Sequence, residues 1–208
     1  MITVKTYKEP HFCEKEILRY AGCGSGDENV LSLMHSCIDE VRKKLSYKVC
    51  YREIDMPYET NSKMLLRTLE GCSQVVVFAA TIGVEIDRLI AKYGRVSPSR
   101  ALMFQAIGAE RIEALCDMFC EDLASEKKMN LSPRFSPGYG DLSLEVQKEI
   151  FNLLNCPKHI GLTLNDSLLM SPSKSVTAFL GLSDKEIKKS DNKCAFCDKT
   201  NCAYRGEV

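Results

Sequence analysis

The sequence has no tryptophan and only three histidines, His11, His35 and His159, in 208 residues. The missing tryptophan excludes nothing. The histidines say more, because none sits in a nucleophile–base motif, and the chain carries no signature of triad-type acyl transfer. Charge of one sign is also lacking. Lysine plus arginine and aspartate plus glutamate both total 28, which leaves no overall field to gather nucleic acid or an anionic membrane surface. No apolar run approaches the roughly 20 residues of a membrane span. The opening Met-Ile-Thr-Val-Lys-Thr-Tyr does not read as a secretory leader. Eleven cysteines without such a leader point to a reducing cytoplasm rather than a disulfide framework.

What is present is ordinary for a globular domain: 45% hydrophobic and 27% charged residues, at a length that suits one domain with a proper core. Residues 13–21 read as a short helix with Ile17, Leu18 and Tyr20 or Ala21 inward. It stops at Gly22-x-Gly24-x-Gly26. A Rossmann-type phosphate turn needs a hydrophobic strand ahead of those glycines, and a charged helical segment stands there instead, so a helix-ending glycine loop is preferred. Asp27 is placed to cap a helix over 28–46. Residues 47–56 alternate as a half-buried strand closed by Pro57.

A short helix around Lys63–Leu69 leads to Gln74–Thr81, apolar on both faces and therefore a central strand. Gly83 turns the chain into a helix ending near Gly94. Ser97-Pro98 starts the longest helix, to about Ser125, with Ala101, Phe104, Ile107, Ile112, Leu115, Phe119 and Leu123 on one stripe. Cys116 and Cys120, one turn apart on it, read as core packing rather than metal ligands. Asp141 or Ser143 is placed to cap a helix over 143–154, and short strands are expected at 160–164, 167–170 and 176–182. Without a regular βαβ repeat, this pattern favours an α+β domain with a mostly antiparallel sheet.

One stretch is unlike an ordinary surface loop: Arg134-Phe-Ser-Pro-Gly-Tyr-Gly-Asp141. Pro137 fixes φ, while Gly138 and Gly140 permit turns that other residues resist. A rigid bend of this kind exposes backbone amides, and its arginine can grip a carboxylate through two hydrogen bonds. It is equally a tight turn whose arginine pairs with a neighbouring helix.

Arg134-x-x-x-Gly138-Tyr139 resembles the S-adenosylmethionine-binding motif of the activation domain of cobalamin-dependent methionine synthase. Leu169-Met-Ser-Pro-Ser-Lys-Ser-Val-Thr177 looks like that family's Met-x-Pro-x-x-Ser-Val segment, at a fitting distance. With Glu16-Ile-Leu-Arg-Tyr20, Ala80-Thr-Ile-Gly83 and a cysteine-rich tail, the chain looks like the free-standing proteins of this family. The resemblance implies a single curved α+β domain over 1–183, with a twisted antiparallel sheet flanked by helices, followed by a charged linker and tail over 184–208.

It also implies a function. In that family, cobalamin oxidised from Co(I) to inactive Co(II) is remethylated from S-adenosylmethionine while another protein supplies an electron. The partner would be a corrinoid-binding methionine synthase or related methyltransferase, and the donor a flavodoxin- or ferredoxin-type protein. Because the methyl group is already activated and the nucleophile is reduced cobalt, the domain needs binding and orientation but no general acid or base.

Carried over residue by residue, Arg134 would clamp the ligand carboxylate. The backbone of Ser136, Pro137, Gly138 and Tyr139 would line the amino-acid or ribose side, and Pro172, Lys174, Ser175 and Val176 the opposing edge. Glu113, in Glu-Ala-Leu-Cys-Asp, matches the family's ligand-side glutamate after a one-residue shift, the alternative being a solvated helix charge. The chain departs from the family pattern after Ser-Val, where a tyrosine is replaced by the run Phe179, Leu180, Gly181.

The tail holds Cys194, Cys197 and Cys202, spaced C-x2-C-x4-C. Thiolates at this spacing can chelate zinc or an iron–sulfur cluster, with Cys156 or His159 as a further ligand if the tail folds back. Free thiols or a redox pair are the alternative. The spacing differs from the C-x3-C-x2-C of radical S-adenosylmethionine enzymes, which excludes that class. Two further functions stay open: a corrinoid-protein partner that makes no use of S-adenosylmethionine, and an electron-transfer accessory whose tail is the working part.

Overall fold

The structure is a computed structural model that describes residues 1–24 and 27–185. The linker from 186 onward and Cys194, Cys197 and Cys202 lie outside the described residues. In chain order the elements are β1 (Thr3–Tyr7), α1 (Glu14–Tyr20), α2 (Glu28–Val41), β2 (Tyr47–Asp55), α3 (Lys63–Thr68), β3 (Gln74–Thr81) and α4 (Glu85–Val96). They continue with α5 (Pro98–Lys127), β4 (Asn130–Leu131), α6 (Val146–Leu154), α7 (Cys156–Ile160), β5 (Thr163–Leu164), β6 (Met170–Ser171) and β7 (Ser175–Ser183).

The main sheet has the order β1-β2-β3-β7-β4 and is antiparallel throughout. β5 and β6 form a separate hairpin. The fold is thus α+β, with helices on both faces of an antiparallel sheet. β3 shows why. Val76, Phe78 and Ala80 point into a core shared with α1, α2, α4 and α5, while Val75, Val77 and Ala79 point into a second core shared with α3, α6 and α7. A strand covered on both faces has no place for polar alternation.

Most helix and strand positions follow the sequence reading, and the departures have local causes. α2 ends at Val41, short of the expected 46, because Lys43 takes a left-handed φ of 62 and its N–H bonds the Glu9 carboxylate at 2.9 Å. Leu45 therefore lies outside the helix. Residues 156–160 are helical, with Pro157 in the first turn, so the expected 160–164 strand shrinks to Thr163–Leu164. The 167–170 strand shrinks to Met170–Ser171, since Asn165 Oδ1 accepts from the N–H of both Ser167 (3.0 Å) and Leu169 (2.9 Å) and holds a turn there. β1 is an edge strand with an exposed face. Asp27 caps α2 as expected, accepting from Val30 N–H at 2.9 Å. Ser97 stands at the N-cap of α5 without a side-chain bond.

The crossing from β1 to α1 is pinned to the middle of α5. Arg111 is fully buried and Glu110 is 4% exposed. The Arg111 guanidinium donates to the carbonyls of Pro10 and His11, both at 2.6 Å, and to both oxygens of Glu110. Glu110 also accepts the N–H of Cys13 at 3.1 Å. The Phe12 ring lies 4.0 Å from the guanidinium. Adjacent helix positions normally point apart. Here both side chains converge on the strap, so each buried charge has a partner and the strap's carbonyls are satisfied.

Among the described residues, no helix is long and apolar enough to cross a membrane, and all the cysteines are free thiols.

Candidate functional site

The Arg134–Asp141 loop is held at both ends. At its start, Phe135 exchanges two backbone hydrogen bonds with Phe179 of β7, at 3.0 and 2.9 Å. At its end, Asp141 reaches across to the N-terminus of α3. Its carboxylate accepts from the Ser62 hydroxyl, from Lys63 N–H at 2.8 Å and from Met64 N–H at 3.3 Å. The two amides are among the unpaired donors that begin every helix. Between these anchors, Gly138 (φ 89) and Gly140 (φ 55) turn the chain. A Cβ on Gly140 would stand 2.3 Å from Met64 Sδ. The expected rigid bend is present, but Asp141 caps α3 rather than the helix that follows. α6 begins only at Val146, after Ser143 Oγ accepts the N–H of Glu145.

Arg134 leaves this loop toward α5. Its Nη2 donates to Glu113 and its Nη1 to Asp117, each at 2.7 Å. Burial opposes the guanidinium charge, but the carboxylates of Glu113 and Asp117 beside it raise its pKa overall. Burial pushes the Cys116 and Cys120 thiols up, so both remain neutral beside it. The Arg134 side chain is 21% exposed, against 45% for Glu113 and 66% for Asp117. Ion pairs this open to water contribute about 0–1 kcal/mol. They are weak as a staple, yet they fix the guanidinium in one orientation. One cation and two carboxylates leave the cluster with a net charge of −1. The same two carboxylates border a hollow of about 600 Å³ that reaches to Tyr20, Met118 and the strap at Pro10.

The other motif lies further along the same face. Among the described residues, β7 is paired on its outer side only from Phe179 onward, by Phe135 at Phe179, by Ser132 at Gly181 and by β4 at Leu182–Ser183. Phe179 directs its N–H and C=O outward. Thr177, two residues back, repeats that orientation with nothing opposite it among the described residues. Its hydroxyl is also buried without a partner. Pro172 is buried, Val176 packs on the α5 side, and the Ser175 hydroxyl bonds Thr81 Oγ1 and the Pro172 carbonyl at 2.8 Å each. Tyr139 is 67% exposed on the rim of the loop.

The structure therefore brings Arg134 and Glu113 together, with Ser136–Tyr139 beside them and Pro172–Val176 along the same strand edge. Sequence reasoning missed Asp117, one helical turn past Glu113 and legible as an i,i+4 acid pair. It also missed the unpaired edge at Thr177. Cys156, considered above as a metal ligand, is fully buried in the core beneath α7. No group of three or more histidine, cysteine or acidic side chains fit to hold a metal occurs among the described residues.

The latch at Asp141 has a pH signature. The Ser62 hydroxyl, followed by the amides of Lys63 and Met64, holds its carboxyl below the usual carboxylate range. A carboxyl depressed in the folded state stabilises it above the unfolded pKa of about 4. That contribution disappears as pH falls through the folded value. Asp141→Asn should therefore be less stable than wild type at about pH 7, and the gap should close toward about pH 3. Urea midpoints across that range check this, and a gap that stays constant would remove the latch.

Comparison with known proteins bears on the fold and the family. No curated protein matches the chain. A crystal structure of the MetH reactivation domain bound to AdoHcy superimposes with a TM-score of 0.70 at 15% identity, covering 90% of this chain and 80% of that one. At that identity the likeness is one of fold. The family model described as vitamin B12 dependent methionine synthase, activation domain, matches residues 67–188, which include both motifs, Glu113 and the whole of α5. The chain belongs to the family of vitamin B12 dependent methionine synthase activation domains.

Proposed function

We propose that this protein binds S-adenosylmethionine along the α5–β7 edge and supports reductive methylation of a cobalamin carried on a separate protein. The observation that carries this reading is the oriented Arg134, flanked by Glu113 and Asp117, beside the unpaired edge of β7. At neutral pH, S-adenosylmethionine has one carboxylate and two cations, its ammonium and its sulfonium. The net charge of +1 complements the −1 of the cluster. Arg134 takes the carboxylate, and Glu113 and Asp117 take the ammonium. The backbone of Ser136–Tyr139 lines one wall and Pro172–Val176 the other, the N–H groups of Gly138 and Tyr139 being held within the loop by the carbonyls of Leu142 and Ser136.

What this chain supplies is orientation. S-adenosylmethionine brings an activated methyl group, and the corrinoid partner, kept reduced by an external flavodoxin- or ferredoxin-type donor, brings the nucleophile. The family's corrinoid-binding Asp-x-His-x-x-Gly does not occur around His11, His35 or His159, which supports action on a cobalamin held elsewhere. Calorimetry with S-adenosylmethionine and S-adenosylhomocysteine tests the first half of the proposal. A Co(II) corrinoid methyltransferase, a reductant and methyl-labelled S-adenosylmethionine test the second. Label should pass to the corrinoid only when this protein is present. Binding without transfer would leave a ligand-binding module. Failure to bind either nucleoside would favour a corrinoid-protein partner that makes no use of them.

A further inference from the structure

The fork of Arg134 is already occupied by its own chain. Its two terminal nitrogens are engaged by separate carboxylates of α5, Nη1 by Asp117 and Nη2 by Glu113, at 2.7 Å each. A bidentate grip on an incoming carboxylate draws one N–H from each of two guanidinium nitrogens. A ligand carboxylate that comes end-on therefore meets two others already seated, and three like charges around one guanidinium repel one another at close range. One of the two acids has to give way. Exposure says which. The Asp117 side chain is 66% exposed and that of Glu113 45%, so water compensates the Asp117 carboxylate more fully when its partner is lost.

Asp117 also borders the hollow beside Arg134, together with Glu113 and Glu121, and a carboxylate that lets go of Arg134 stays on that rim. What it then lacks is a cation. An α-amino acid carries its ammonium on the same carbon as its carboxylate, so a ligand whose carboxylate reaches Arg134 sets its ammonium beside the displaced aspartate. A carboxylate without that ammonium takes Arg134 from Asp117 and leaves the aspartate unpaired. We propose that Asp117 is a specificity-determining residue: it holds Arg134 against bare carboxylates and yields it to an α-amino acid end, whose ammonium takes up the displaced carboxylate. This rests on the S-adenosylmethionine reading of the site and adds the reason that a zwitterionic end, rather than any organic anion, is selected there.

The test uses S-adenosylhomocysteine, its desamino analogue, which keeps the carboxylate and lacks the ammonium, and 5′-methylthioadenosine, which lacks both. Wild type should bind S-adenosylhomocysteine about tenfold or more tighter than the desamino analogue. Asp117→Ala should bind the desamino analogue about fivefold tighter than wild type does, the upper range for an exposed ion pair, and should lose most of the preference for the amino compound. Asp117→Asn, which keeps the shape and drops the charge, should move in the same direction. 5′-Methylthioadenosine should bind every variant within about twofold of wild type. Glu121→Gln removes an equal charge from the same rim, where Glu121 has no ion pair with Arg134, and should leave the preference within about twofold. A desamino analogue bound no more tightly by Asp117→Ala than by wild type overturns the proposal. So does a Glu121→Gln variant that loses the preference equally, since that assigns the selection to the overall charge of the hollow. Wild-type protein that binds none of the three compounds would remove the site reading itself, and this inference with it.

Discussion

Arg111→Met should destabilise the fold by about 3–5 kcal/mol, a large part of the roughly 5–15 kcal/mol that holds a domain of ordinary stability together. The guanidinium is fully buried. Its loss strands the Glu110 carboxylate in a core position and leaves the carbonyls of Pro10 and His11 without donors. Glu110→Gln should also be costly, because it leaves the buried Arg111 charge without its counter-ion. The double variant Glu110→Gln, Arg111→Met should recover part of the loss, since an ion pair removed whole strands no charge. Urea unfolding of the four proteins gives the coupling directly. Strictly additive losses would mean that the two side chains act independently and that the pairing is incidental.

Arg134→Ala should behave in the opposite way. Removing one partner of a desolvated, charge-assisted contact costs about 2–5 kcal/mol of binding, a weakening of S-adenosylmethionine affinity between about 30-fold and several thousand-fold. Folding stability should fall little, because the partners of Arg134 in the free protein are 45% and 66% exposed and such pairs are weak. Calorimetry and thermal unfolding on the same samples separate the two effects. Equal affinities for wild type and variant would take Arg134 out of the site.

These two arginines also mark what could be read from the chain. The bend that carries Arg134 was legible because proline and glycine fix its shape locally. β3 and α5 were legible for a related reason: an apolar run on both faces, and a Ser-Pro start followed by a long stripe, admit few alternatives. Arg111 and Glu110 were not, since adjacent charges in a helix ordinarily read as a solvated face, and only the strap 100 residues away in sequence reverses that. The same holds for Asp141. Its own neighbourhood suggests a cap for the helix after it, whereas its partners lie 79 and 78 residues earlier. Residues 160–164 were expected as a strand, but Pro157 sits in the first turn of a helix that takes in Ile160 and leaves only Thr163–Leu164 extended. β1 carries too little apolar alternation to stand out, being an edge strand.

Within ten residues, α5 does three jobs. Gly108 makes room for Lys174, Glu110 and Arg111 hold the strap, and Glu113 and Asp117 orient Arg134. Each job depends on the direction in which a side chain leaves the helix. One residue inserted anywhere in this window would rotate everything beyond it by about 100° and advance it by about 1.5 Å, uncoupling the strap contacts from the Arg134 cluster. Chain length is therefore fixed here more strictly than residue identity. An alignment of related chains should run without gaps from 108 to 117, while insertions and deletions collect at the tip of the β5–β6 hairpin, where only the local turn around Asn165 would have to be rebuilt.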